Sequence, residues 1–195
     1  MLKIGITGGI GSGKSTICHF FSLMEIPVFN ADQEAKRIMN ESSLIRSKMM
    51  LHFGKDIYLK NQTIDRKKLA AMIFNSPPLL QMANAIVHPE VRSYFFDWCK
   101  RQHSPYIIHE AAILFESGFY EMMDYTILVT APEQQRIERV MKRDHSSSQQ
   151  IKERISKQWP DKEKVKLADF IIKNDNRELV LPTLIELDQK FRKHG

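Results

Sequence analysis

The chain has 195 residues, 43% hydrophobic and 27% charged, which suits one sizeable α/β core with smaller insertions and requires no second large domain. No apolar run is long enough for a membrane span, and the N-terminus opens straight into a strand pattern without a charged region and signal-peptide core, so a cytoplasmic protein is expected. The net charge is +6, and ten basic against five acidic residues between Arg136 and Lys166 account for five of those charges. Such a segment suits a polyanionic small molecule; without interleaved aromatics beyond Trp159 it is a poor single-strand nucleic-acid groove.

At the start of the chain Leu2, Ile4 and Ile6 alternate as in a buried strand, and Ile17, Phe20, Phe21 and Met24 recur at the spacing of an amphipathic helix. Between them Gly8 to Ser15 reads G-x4-G-K-S, a phosphate-binding loop in its required strand–loop–helix setting. Glycines at Gly8, Gly9, Gly11 and Gly13 let the backbone turn tightly and aim N–H groups, together with the positive end of the next helix, at phosphate oxygens. Ser12 and Thr16 lie within the same cradle. Lys14 is placed to reach the β and γ phosphates, and the Ser15 hydroxyl to ligate Mg²⁺ alongside water and phosphates. A nucleoside triphosphate is the expected ligand.

After this helix, residues 26–29 read as a short second strand ending at Asn30-Ala31-Asp32. From there the pattern is mainly helical, over 33–39, 44–53, 66–74, 78–87 and 89–102, with Asp65 placed as an N-cap and residues 75–78 as a break. This is a helical insertion. Strand character returns at 106–110, continues weakly through 113–115 and reappears at 125–130, in apolar runs that suit interior parallel strands. Pro132 starts a helix carrying Ile137, Val140 and Met141, the serines at 146–148 interrupt it, and further helix is expected through Trp159-Pro160. A last strand at 170–172 precedes a closing helix bearing Leu179, Val180, Leu184, Leu187 and Phe191. Cys18 and Cys99 both lie in helical patterns, form no metal-type cluster and read as reduced core thiols.

The order predicts an α/β fold of the P-loop NTPase type, a parallel sheet with helices on both faces, plus a helical substrate-binding insertion and a small lid. Asp32, Glu110 and Glu116 fall at or just after strand ends, where such folds bind ligands. Arg139 and Arg143, one helical turn apart, suit charge stabilisation of phosphoryl transfer, the alternative being a surface pairing with Glu138 or Asp144. Asp32 suits either a base that orients a substrate hydroxyl or a helix N-cap. His88-Pro89 with Arg92 places an imidazole and a guanidinium together, suited to a phosphate-bearing substrate, although a structural His before Pro is as natural.

These segments together resemble the dephospho-coenzyme A kinase family. The likeness runs in order through Gly5 to Ser15, Ala31-Asp32 with Ala35-Lys36, Ile64 to Leu69, Ile86-Val87-His88-Pro89-Glu90-Val91-Arg92, Ile113-Leu114-Phe115-Glu116, the stretch 135–144 with Arg139 and Arg143, and Ala168 to Asn174. The resemblance implies transfer of the ATP γ-phosphoryl group to the ribose 3′-hydroxyl of dephospho-coenzyme A, with Mg²⁺ as cofactor. By position it makes Asp32 the base or hydroxyl-orienting group, Lys36, His88, Arg92 and Glu116 acceptor-site residues, Arg139 and Arg143 lid-side arginines, and Asn174 a neighbour of the adenine. It also implies a single kinase domain with a core of about 1–29, 97–142 and 161–195, a coenzyme A-binding insertion of about 30–96 and a lid of about 143–160. Dephospho-coenzyme A and ATP are then the expected partners of a monomer or weak homo-oligomer, with neither nucleic acid nor membrane. Two positions depart from the family pattern: Glu110 stands where an Asp is common, and Asn30 where an Asp is frequent.

Overall fold

A computed structural model describes residues 1–74 and 76–195; Asn75, part of the expected break at 75–78, lies outside the described residues. In chain order, β1 (Leu2–Thr7), α1 (Lys14–Leu23) and β2 (Val28–Asn30) lead into α2 (Ala31–Glu41), α3 (Ser43–Phe53), α4 (Arg66–Phe74) and α5 (Pro77–Cys99). Then follow β3 (Tyr106–Glu110), β4 (Tyr125–Thr130), α6 (Glu133–Asp144), α7 (Ser148–Ile155), α8 (Asp161–Lys164), β5 (Phe170–Lys173) and α9 (Leu181–His194). The chain divides into two compact units, Met1–Asn30 with Gln102–Gly195, and Ala31–Arg101.

The first unit is built on a five-stranded, wholly parallel sheet in the order β2-β3-β1-β4-β5. Its apolar strands are covered on both faces, as a parallel sheet requires. On one face Ile4, Ile6, Tyr106, Ile108, Ile127, Val129 and Ile172 pack with Ile17 and Phe21 of α1 and Leu184, Leu187 and Phe191 of α9. On the other, a Cβ at Gly5 would press on Leu114 and Met123, so the segment after β3 lies directly against the sheet. Residues 113–115, expected as weak strand, are turn: Leu114 is apolar because it covers the sheet rather than joins it, and Phe115 is buried with its ring against Tyr120.

Two other expectations are corrected in this unit. Helix does not run through Trp159-Pro160; α7 ends at Ile155, and residues 156–160 are non-helical before α8. Proline disfavours helical geometry at the residue before it, and the side chain of Gln158 and the N–H of Trp159 are bonded elsewhere. The closing helix starts only at Leu181, leaving Leu179 outside it and 83% exposed. The serine interruption has a physical form: the Ser147 side chain accepts the Gln150 N–H while the Gln150 side chain returns to the Ser147 N–H, a capping box that starts α7.

The second unit packs α2, α3 and α4 against α5. Ser42 and Asp65 cap α3 and α4 by accepting the N–H groups of Ile45 and Lys68 at 3.2 and 3.0 Å. The helix expected to break ahead of Pro89 does not: α5 runs unbroken through Pro89. An interior proline costs a helix about 3 kcal/mol. Buried side chains at Ala83, Ile86 and Val87 before it, and Val91, Phe95 and Cys99 after it, hold one continuous stripe against the other helices. Burial of each large apolar side chain contributes roughly 1.5–3 kcal/mol, so packing outweighs the local penalty. His88 thus lies mid-helix and not at a helix start.

Candidate nucleotide-binding site

The loop between β1 and α1 takes the conformation its glycines allow. Gly11 and Gly13 have φ of 78° and 97°, left-handed values that a side chain would strain. Lys14 opens α1 and bonds through Nζ to the Gly8 carbonyl at 2.8 Å. Ser12 is 1% exposed, and its hydroxyl has no hydrogen-bond partner among the described residues. Thr16 lies in the first turn of α1, its N–H bonded to the Gly13 carbonyl at 3.0 Å.

Behind Ser15 stands Glu110, at the carboxyl end of β3 and in register with Ile6 of β1 and Asn30 of β2. The Ser15 hydroxyl donates to Glu110 Oε1 and the Asn30 amide to Oε2, both at 2.8 Å. Glu110 is only 6% exposed, so its carboxylate depends on these donors. The two departures from the family pattern therefore meet: the longer Glu110 reaches the loop hydroxyl, and Asn30 supplies an amide where a second carboxylate would repel. Beneath them the Cys18 thiol is pushed well above its ordinary pKa, first by burial and then by the neighbouring Glu110 charge.

The hydroxyl of Ser15 and carboxylate of Glu110 are hard oxygen donors, the kind Mg²⁺ selects. Among the described residues no group of three or more His, Cys, Asp and Glu could hold a metal. A magnesium ion held at Ser15 would take its other ligands from water and phosphate, as Mg²⁺ commonly does at phosphate sites.

Residues distant in sequence wall the loop. Asn174, just past β5, donates through Nδ2 to the Ser12 carbonyl at 2.8 Å, and its own carbonyl accepts Arg139 Nη2 at 2.8 Å. Arg139 also reaches Asn176 Oδ1 at 3.0 Å. The other close guanidinium is Arg136, buried, with Nε on the Ile10 carbonyl at 3.0 Å. A Cβ at Gly9 would collide with it, and one at Gly13 with Asn174, so these two glycines are places where a wall touches the loop. In the sequence Arg136 stands out only as basic charge; its place three residues before Arg139, beside apolar Ile137 and Val140, is the one local sign of this role.

Arg143 is not drawn to the loop with Arg139. It pairs with Asp144 at 2.6 and 3.0 Å, the surface partner offered as an alternative, and its side chain is 63% exposed. Glu116 accepts the Trp159 N–H at 3.0 Å and pairs with Lys164 at 2.7 Å, while its Oε2 has no hydrogen-bond partner among the described residues.

The helical unit carries the remaining candidates. Asp32 and Lys36 are exposed and one turn apart on α2, with Asp32 inside the first turn and past the N-cap position. His88 and Arg92 are one turn apart on α5 and line a groove of about 460 Å³ with Asn84, Ser93 and Phe96. Burial and then the Arg92 charge hold the His88 imidazole below its ordinary pKa, which favours the neutral ring. A guanidinium, a neutral imidazole and an amide in one groove form a donor-rich surface.

A family model described as dephospho-CoA kinase matches residues 2–179. The dephospho-CoA kinase of Bacteroides fragilis is 37% identical over 187 residues, 95% of this chain and 91% of its own length. That of Porphyromonas gingivalis is 38% identical over 193 residues, covering 98% and 95%. Among solved structures, the dephospho-CoA kinase from Campylobacter jejuni superposes with a TM-score of 0.70 at 28% identity, over 98% of this chain and 97% of that one. With its phosphate loop, its walls and these matches over nearly its whole length, the chain belongs to the dephospho-CoA kinase family.

Proposed function

We propose that this chain transfers the γ-phosphoryl group of ATP to the ribose 3′-hydroxyl of 3′-dephospho-coenzyme A, releasing coenzyme A and ADP. The observation that carries the reading is the Lys14 and Ser15 pair at the mouth of the glycine loop, with Ser15 braced by Glu110, in a chain of this family. Phosphoryl transfer needs positioning and charge stabilisation more than covalent help. Lys14 is assigned the β and γ phosphates, and the N–H groups of Gly9, Gly11, Gly13 and Ser15 the remaining backbone contacts, with the hydroxyls of Ser12 and Thr16 completing the ATP-binding loop. Mg²⁺, when bound with ATP, neutralises phosphate charge; Ser15 would hold it, with Glu110 behind.

Arg139 and Asn174 form the nucleotide side of the site. On the acceptor side Asp32 takes or orients the hydroxyl proton, and Lys36, His88, Arg92 and Glu116 hold the acceptor's charged groups. Ala31–Arg101 is then the acceptor-binding insertion and residues 143–160 the lid. Arg143 is released from Asp144 to meet the transferring phosphoryl group.

An acceptor screen tests the proposal: ATP consumption should require dephospho-coenzyme A and stop when Mg²⁺ is chelated. Equal or faster turnover with nucleoside monophosphates would overturn the acceptor assignment. Arg143→Ala should reduce kcat more than it raises the acceptor KM; a rise in KM alone assigns Arg143 to binding.

A further inference from the structure

Ile10 forms the crown of the phosphate loop, between Gly9 and Gly11, and is gripped at three points from outside the loop. Its side chain packs on the buried cluster of Ile137, Val140 and Ile151. Its carbonyl accepts Arg136 Nε at 3.0 Å, and its N–H donates to Gln158 Oε1 at 2.8 Å. The flanking glycines make the grip possible, because a Cβ at either would collide with Arg136.

Gln158 is itself anchored. Its Nε2 donates to the Ala112 carbonyl at 3.4 Å, and the next N–H, that of Trp159, is held at 3.0 Å by Glu116. Glu116 is fixed in turn by Lys164, which is 0% exposed, at 2.7 Å. The amide of Gln158 therefore joins the loop crown to the segment after β3 and to the foot of residues 143–160. A phosphate loop binds through the direction of its N–H groups, so whatever fixes the crown sets how far the cradle is formed before nucleotide arrives.

We infer that Gln158 is a positioning residue that holds the loop crown in its nucleotide-ready turn and couples bound nucleotide to the foot of the 143–160 segment at Trp159. This rests on the proposed reading of the loop as the ATP site. It does not depend on the acceptor.

The test uses the full chain with Trp98→Phe, which leaves Trp159 the sole tryptophan. Wild-type, Gln158→Leu and Gln158→Asn forms are titrated with ATP and with ADP, without acceptor, by calorimetry and by Trp159 emission. Gln158→Leu should raise both dissociation constants about tenfold, or about 1.4 kcal/mol, and abolish the nucleotide-dependent change in Trp159 emission. Gln158→Asn keeps the amide one carbon short and should fall between.

Unchanged nucleotide affinity in the variants would overturn the inference, as would a lowered Tm with affinity intact, the mark of a merely structural contact. Should Gln158→Leu fail to fold, wild-type affinity in Gln158→Asn overturns it alone. Because no acceptor is present, a chain that phosphorylates another alcohol still tests the coupling, and a failed coupling leaves the acceptor assignment standing.

Discussion

The two units hold their candidate residues in opposite ways. Around the phosphate loop most polar groups are fixed by another: Ser15 by Glu110, Glu110 by Asn30, the Ser12 carbonyl by Asn174, Ile10 by Gln158 and Arg136. In the helical unit Asp32 and Lys36 stand exposed on α2, and α5 sets His88 and Arg92 by helical spacing along one rod. A polyphosphate site gains from preorganised dipoles, whereas on the proposed reading Asp32 meets a hydroxyl that the acceptor brings to it. Damage to the first unit should therefore appear in stability and nucleotide affinity, and damage to the second in rate and acceptor binding.

The strongest test of this contrast is Asp32→Asn. It should lower kcat by about 10²–10⁴, roughly 3–5 kcal/mol of barrier, while ATP affinity and Tm hold; near-normal kcat would reduce Asp32 to a favourable charge in the first turn of α2. Glu116→Ala should act the other way, costing about 3 kcal/mol of stability in denaturant titration because it leaves Lys164 buried and unpaired. An unchanged stability with a raised acceptor KM would instead assign Glu116 to the acceptor alone.

Asn30→Asp removes an amide donor from Glu110 and sets a like charge beside it. Thermal unfolding at neutral pH should show a loss of about 1–3 kcal/mol, larger than that of Asn30→Ala, which removes the donor without adding a charge. An equal loss in the two variants would mean that the added charge plays no part. The gentlest probe is pH itself.

His109 lies in β3 between the rings of Phe29 and Phe119, at centroid distances of 5.4 and 4.5 Å. Burial lowers its pKa from the ordinary 6.5 to about 3. The unfolded chain therefore binds the proton more readily. Stability should fall by up to about 1.4 kcal/mol per unit as pH drops from 6.5 towards 3, on top of any carboxylate effect. A His109→Phe variant with the same pH slope would remove His109 from the account.

The contrast also explains what could be read from sequence. The loop, its flanking strand and helix, and strands β3 and β4 were legible because each is a local pattern of period, glycine and charge. The continuous α5 was not, because Pro89 is a strong local breaker and the stripe that overrides it is tertiary. Arg136 and Gln158 were missed for a related reason: they meet Ile10 across 126 and 148 residues of sequence, a span over which no periodicity speaks. Glu110 and Asn30 were each visible as departures, but that one answers the other appears only when β2 and β3 lie side by side.

Pro89 has a consequence beyond being tolerated. In an unbroken helix the N–H four residues on would satisfy the Ala85 carbonyl, and proline has none to give. Ala85 and Pro89 both line the groove of His88 and Arg92. The helix therefore lacks one of its own hydrogen bonds at this groove, and the Ala85 carbonyl must find its donor somewhere other than four residues along the chain.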